Sequence, residues 1–249
     1  MWRVPTRSTL KHALSAGPLL LGALCACAWA RADDMKVPLF TATYAVQWHG
    51  ITAGYSTLDV KQTGPDTYTY SSRIRAHGIF LLAFPGARTQ TSTFKIENDH
   101  VLPLTYREEG GGSDEDESLE FDWGAMRARG ISEDKMVDVQ IPAGTQDPLS
   151  VQIELMRDLI AGHPPRRFAL FDKNEAKQYD YTRERTQTLD TPLGHLDTVV
   201  YRSDRPGSDR VTRLWLAQSL GYLPVQAERE RRGKVDLSLH VRELKRTGI

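Results

Sequence analysis

From Leu39 to Leu244 apolar and polar residues alternate with a period of two, and this pattern decides the fold class. Thr41-Ala42-Thr43-Tyr44-Ala45-Val46-Gln47-Trp48 is rich in β-branched and aromatic residues and ends at His49-Gly50. Tyr55–Val60 follows Gly54, and Gly64-Pro65-Asp66 marks a turn before Thr67–Ile74. Such side chains suit a pleated, half-buried surface, and Gly, Pro and Asp punctuate it. Further strands are expected at 88–97, 101–109, 117–123, 135–141, 176–189, 196–203, 209–217, 222–231 and 234–244. The expectation is a mainly β, antiparallel, strongly curved sheet or open β-barrel of roughly ten strands. The alternative is two smaller β domains separated by a helix.

One segment breaks the alternation with helical spacing. Asp147 is placed to cap a helix start, Pro148 suits the first helical position, and Val151, Leu155, Leu159 and Ile160 fall on one face. Gly162-His163-Pro164-Pro165 stops it. A central helix from about Asp147 to about Ala161 is therefore expected against the sheet. On either side of it the chain echoes itself. Phe94-Lys95-Ile96 leads to Leu102-Pro103-Leu104, and Leu214-Trp215-Leu216 leads to Leu223-Pro224-Val225. A shared hairpin chemistry and a duplicated β-meander both account for the echo.

Residues 1–30 differ from the rest. Arg3, Arg7 and Lys11 precede an uncharged run over 13–30 that ends in Ala28-Trp29-Ala30, the small-x-small pattern of a signal-peptidase site. Gly17-Pro18 interrupts the run, which is at the short edge of the roughly 20 residues a membrane span needs. The expectation is a signal peptide over 1–30 and a single exported, periplasmic β-rich domain over 31–249. A retained anchor is one alternative, and a lipoprotein acylated at Cys27, in Leu24-Cys25-Ala26-Cys27, is another. Both cysteines lie inside this segment, so the remainder has no disulfide, thiolate nucleophile or cysteine metal site. The full chain has 32 basic and 32 acidic residues, and loss of the three basic residues named leaves it slightly acidic. Nothing in that balance calls for nucleic acid.

Catalytic patterns are absent. There is no Gly-x-Ser-x-Gly elbow and no Ser-x-x-Lys pair, and Ser150 belongs to the first helical turn opened by Asp147. His49, His77, His100, His163, His195 and His240 are scattered without metal-ligand spacing. Asp114-Glu115-Asp116-Glu117 after Gly110-Gly111-Gly112 has carboxylates suited to calcium but lacks an EF-hand order. It reads as a solvated hairpin tip. No catalytic residue, metal site or cofactor is expected. The most suggestive segment is Gly78-Ile79-Phe80-Leu81-Leu82-Ala83-Phe84-Pro85-Gly86, a continuous apolar run between glycines. Buried, it is a core strand or short helix; exposed, it lines a pocket or touches a membrane. The candidate ligand-binding residues are Ile79, Phe80, Leu82 and Phe84, with Trp48 and Trp123 on neighbouring strands.

In order along the chain stand Tyr44 and Gly54, Leu102-Pro103 with Tyr106, Phe121-Asp122-Trp123, Gln146-Asp147-Pro148-Leu149-Ser150, Thr191-Pro192-Leu193-Gly194, Trp215-Leu216-Ala217 and Leu223-Pro224-Val225. This series resembles the bacterial exported family DUF3108, from about Leu39 to about Leu244. The resemblance implies export and a β-rich fold and carries no catalytic residues. The stretch from Trp215 to Val225 also resembles the strand–turn–strand of periplasmic lipoprotein carriers, whose open barrels hold acyl chains around a helix. The expected function is non-catalytic binding of an apolar or amphipathic envelope molecule, such as a lipid. The alternatives are an envelope assembly factor that docks another envelope protein, and an envelope hydrolase built on one of the histidines.

Overall fold

The computed structural model describes residues 37–110 and 116–246. The expected signal segment, with Cys25 and Cys27, lies outside them, as do Gly111, Gly112, Asp114 and Glu115.

The described chain forms one antiparallel sheet of 14 strands and one α-helix. From β1 (Phe40–Trp48) the chain meanders outward through β2 (Ile51–Gln62), β3 (Thr67–Ala76), β4 (Ala87–Glu97), β5 (His100–Glu109), β6 (Glu117–Asp122), β7 (Arg127–Ser132) and β8 (Lys135–Gln140). After α1 (Ser150–Ile160) it restarts at the opposite edge with β9 (Arg167–Asp172). It then meanders back through β10 (Glu175–Thr191), β11 (Gly194–Asp204), β12 (Arg210–Ala217), β13 (Leu223–Arg231) and β14 (Lys234–Arg246). β14 pairs with β1, from Arg246 opposite Phe40 to Leu237 opposite Trp48. The expected count of roughly ten strands is too low, and the two-domain alternative is overturned by the single sheet.

Two of the strands, β7 and β9, escape the alternation. Gly130 interrupts β7, and the structure requires it: a Cβ there would lie 1.9 Å from the Ser118 carbonyl oxygen. β9 is a short run, Arg-Phe-Ala-Leu-Phe-Asp, directly after the helix-ending prolines.

The sheet curls until its edges approach without closing. The segment after β8 spans the gap. The Gln146 N–H donates to Ala169 O and its carbonyl accepts from the Phe171 N–H, both at 2.8 Å. Its side-chain amide donates to Val101 O at 2.8 Å. Next to it Asp147 is wholly buried. Its Oδ1 accepts from the N–H groups of Leu149 and Ser150, each at 2.8 Å, and its Oδ2 accepts from Ser92 Oγ on β4 at 2.5 Å. In return Ser150 Oγ accepts from the Asp147 N–H at 2.9 Å. These bonds satisfy the helix's free N–H groups, as expected of Asp147 and Ser150, and fasten its start to the sheet.

α1 is buried on most of its surface. Leu149, Ile153 and Met156 enter the main core with Phe40, Tyr70, Phe94, Tyr106, Phe121 and Phe171. Val151, Leu155 and Leu159 pack with Phe168, Tyr181, Val199, Tyr201 and Leu216 in a second cluster. Tyr70 donates to Gln152 Oε1 at 2.9 Å, and Glu154 accepts from the Val101 N–H at 2.8 Å.

The repeated Leu-Pro-apolar sequence has a structural meaning. Phe94 faces Pro103 but Thr93 faces Thr105, so Leu104 is an extra residue. Likewise Leu216 faces Pro224 but Trp215 faces Gln226, leaving Val225 extra. Both prolines thus sit at β-bulges inside strands, where a missing N–H is tolerated, and neither is a strand's first residue. Each proline carbonyl accepts from an aromatic side chain: Trp123 Nε1 to Pro103 O at 2.7 Å, and Tyr44 Oη to Pro224 O at 2.8 Å.

Two predictions follow from these anchors. Asp147→Ala strands two helix N–H groups and the Ser92 hydroxyl, and is expected to lower unfolding free energy by about 2–4 kcal/mol in urea titration. Tyr44→Phe, which removes only a hydroxyl, should cost about 1–2 kcal/mol, and an unchanged denaturation midpoint would show that the Pro224 carbonyl needs no partner.

Candidate functional site

A meander sends alternate turns to opposite ends. The β2–β3, β4–β5, β6–β7, β10–β11 and β12–β13 turns lie at one end, and the β1–β2, β3–β4, β7–β8, β9–β10, β11–β12 and β13–β14 turns at the other. At the second end a cavity of about 440 Å³ opens between strand ends. Arg88, Glu108, Glu117, Ser132, Glu133, Asp172, Lys173, Tyr179, Arg210 and Arg229 line it, with Pro148, Leu170 and Phe171. For a chain expected to bind an apolar or amphipathic molecule, this lining is mostly charged, because the inward positions of β4, β5 and β6 change character along their length. β4 runs Phe94, Ser92, Gln90, Arg88 toward the mouth, and β6 runs Phe121, Leu119, Glu117. On β5 the bulge at Leu104 shifts the alternation, so that Tyr106 and Glu108 continue the inward row begun by Val101 and Pro103.

Most of these charges neutralise one another. Glu108 accepts from Arg88 Nε, from Gln90 Nε2 at 3.0 Å and from the Tyr106 hydroxyl at 2.9 Å. Arg229 grips Asp236 through two bonds of 2.9 and 3.1 Å. Lys177 and the Tyr179 hydroxyl both donate to Asp172 Oδ2, at 3.1 and 3.0 Å. Lys173 Nζ meets Glu133 Oε1 at 2.7 Å and ties the β9–β10 turn to the β7–β8 turn. Two lining residues stand apart. Arg210 makes no ion pair among the described residues, and Glu117 Oε1 is buried without a hydrogen-bond partner. Burial, with the charges of Glu108, Asp172 and Glu133, pushes the Glu117 carboxyl up from 4.5 to about 7 against a bond from Ser132. Near neutral pH the cavity therefore offers a guanidinium and a partly protonated carboxyl, both hydrogen-bond donors. Glu117 is not the solvated tip residue that its acidic run suggests.

Turns at the same end carry exposed apolar side chains. Gly78–Leu82 forms a 3-10 turn in which no residue is buried. Ile79, Leu82 and Phe84 are 76, 87 and 65 % exposed. Phe80 is half-buried, and Trp48 and Ile51 are exposed on the β1–β2 turn at the same end. The structure thus brings five of the six candidate ligand-binding residues to one end. Trp123 is the correction. It sits at the β6–β7 end, half-buried, stacked on Phe121 and bonded to Pro103, because it closes the β5 bulge.

The family model described as "Protein of unknown function (DUF3108)" matches residues 43–233. The chain belongs to this family. The DUF3108 match runs from β1 to the turn after β13 and so takes in the helix, both bulges and the cavity. No curated protein matches the sequence. Among solved structures, a β-barrel-like protein of the DUF1849 family from Brucella abortus is similar at a TM-score of 0.54 and 12 % identity, over 86 % of this chain and 100 % of that one. The hypothetical protein CT021 from Chlamydia trachomatis is matched at 0.39 and 8 %, over 85 and 89 %. At such identities the Brucella protein shows a shared barrel-like fold and nothing of function.

Three histidines meet polar partners. His100 Nδ1 lies 2.9 Å from Glu154, His195 Nδ1 lies 3.0 Å from Asp190 at the β10–β11 turn, and His240 Nε2 lies 3.1 Å from Ser238 Oγ. None of them lines the cavity. No group of metal-ligating side chains is assembled among the described residues.

The sequence order alone does not single out Arg88, Glu108, Glu117, Arg210 and Arg229, which come from five strands. The available signal is the replacement of apolar by charged residues at inward positions near successive turns.

Glu117 makes a sign-definite prediction. A carboxyl whose folded value is raised binds its proton more tightly in the native state. The fold is then favoured at low pH, loses stability as pH rises from about 4.5 through about 7, and levels off above. Glu117→Gln removes that titration. The variant should exceed the parent by about 1–2 kcal/mol above pH 7, the open mouth screening part of the shift, and the gain should fade below pH 5. Urea midpoints across this range decide it; a variant less stable at high pH would mean that the ionised carboxylate is stabilised in the cavity.

Proposed function

We propose that this chain is an exported, non-catalytic binding protein of the bacterial envelope, and that it holds an amphipathic molecule at the open end of its barrel. The polar group of the ligand enters the cavity and meets Arg210 and Glu117, while its apolar part lies along the rim at Ile79, Phe80, Leu82, Phe84 and Trp48. The observation that carries this reading is that a donor-presenting polar cavity and exposed apolar turns lie at the same end of the sheet. Binding sites usually combine apolar contact with a few polar groups that fix orientation. A group with oxygen acceptors, such as a phosphate, carboxylate or sugar, matches the donors. Export and a periplasmic location agree with the signal-like features of residues 1–30 and with the family resemblance.

A partner-docking assembly factor is the second reading, drawn from β10. β9 pairs with β10 only from Glu175 to Asp180, and the next stretch, 182–188, is exposed. That edge carries Arg183, Glu184 and Arg185 and a register shift at Glu184. Charges and bulges of this kind discourage added strands, which favours the binding reading.

Native mass spectrometry of protein gently purified from the envelope fraction tests the proposal. The expected spectrum has an added mass that organic extraction removes, with lower occupancy in Arg210→Gln. Bare protein in every preparation would contradict ligand binding, and a second polypeptide in place of a small molecule would favour the docking reading.

A further inference from the structure

We infer that the open end docks on an anionic lipid bilayer, with the 78–84 turn and the Trp48–Ile51 turn entering the interface and a collar of basic residues meeting the headgroups. This goes beyond the cavity ligand and stands without it.

The sheet order places β4, β3, β2, β1, β14 and β13 side by side. Their turns at the open end are therefore consecutive neighbours: the 78–84 turn, Trp48–Ile51, and the β13–β14 turn. Bonds link them. The His77 N–H donates to Ala53 O at 2.8 Å, the His77 and Tyr55 rings lie 5.6 Å apart, and the His49 N–H donates to Asp236 O at 3.0 Å. Along this arc Ile51, Tyr55, Ile79, Leu81, Leu82, Phe84 and Val235 are large apolar side chains left exposed. Single exposed residues are ordinary on a soluble fold, but a neighbouring set on consecutive turns marks an interaction surface.

Charge selects the occupant. No Asp or Glu occurs from Thr67 to Ile96, and at the open end this stretch presents Arg73 and Arg75. Arg75 faces Tyr55 across the β2–β3 ladder, and Lys234 adjoins Val235. Arg73, Arg75, Arg231 and Lys234 are exposed and form no salt bridge among the described residues. Of the acids at this end, Asp236 is engaged by Arg229, Glu230 by Arg213 and Asp209 by Arg232, while Glu109, opposite Thr89, is exposed and in no salt bridge among the described residues. Protruding apolar tips flanked by free cations suit an anionic lipid interface, where apolar groups sink below the headgroups and basic residues pair with them.

Flotation of the full chain with vesicles of phosphatidylcholine, alone or mixed with phosphatidylglycerol, tests the inference. Residues 1–36 are common to every variant, so differences report the turns. The parent should bind the mixed vesicles about tenfold more tightly than phosphatidylcholine alone, and less tightly as salt is added. Leu82→Asp with Phe84→Asp should weaken binding about tenfold or more, with an unchanged thermal midpoint because both side chains are exposed. Arg75→Gln with Lys234→Gln should abolish the preference for phosphatidylglycerol. Equal binding of parent and turn variant, or no preference between vesicles, overturns the inference. So does a self-association that the turn variant abolishes without any flotation, which would assign the surface to a second copy of the chain. Arg210→Gln should leave flotation intact, so loss of its co-purifying mass alone bears on the cavity reading and loss of flotation alone on this one.

Discussion

The pairing of the first strand with the last holds the molecule together. β1 and β14 join an eight-strand meander to a six-strand meander that enters from the far edge. Without that ladder there would be two sheets, four edges and no common interior. The contact is also among the most distant in sequence, so it brings a large loop-closure entropy that burial must offset. Tyr44 reinforces it by reaching past β14 to the Pro224 carbonyl on β13, and Asp147 and Gln146 hold the opposite seam where β8 and β9 fail to meet. The β1–β14 ladder also sets the turns of β1–β2 and β13–β14 next to each other, and so it composes the rim of the open end.

Within this frame the two ends do different work. One is a packed core with a helix driven into it, and Ile153, Leu155 and Met156 there are almost wholly buried. Truncating any of them to alanine is the kind of change that removes about 2–5 kcal/mol. The other end keeps a cavity lined with ion pairs, a carboxyl at Glu117 with one oxygen buried and unpartnered, and a guanidinium at Arg210 in no ion pair among the described residues. Burying polar groups without partners weakens a fold. At the open end the buried Glu117 Oε1 is such an atom, whereas Arg210 is exposed, and a donor from a ligand would relieve the first.

Much of the scaffold was legible because strands and caps act locally. Alternation located twelve of the strands, and Asp147-Pro148 located the helix start, since each depends on neighbours a few residues away. β7 was hidden by Gly130, whose reason is a backbone on the adjoining strand. The Leu-Pro echo was visible, but its role as a pair of bulges depends on which residue stands opposite. Of the site, the 78–86 run announced itself by composition. The cavity did not, because Arg88, Glu108, Glu117, Arg210 and Arg229 become neighbours only through fourteen strands of register. Trp123 misled for the same reason: an aromatic on a strand says nothing of which end of a barrel it occupies.

The central claim is that binding belongs to the open end and that the helix end is structural support. Amide hydrogen exchange, compared between protein as purified from the envelope and the same protein after organic extraction and refolding, addresses it residue by residue. Extraction should raise exchange in the 77–88 turn, around Glu108 and Glu117, and in the turns at 172–175, 205–210 and 231–235, while α1 and the β1–β14 ladder keep their protection. A change centred on α1 and the β4–β5 turn, with the open end unaffected, would contradict it.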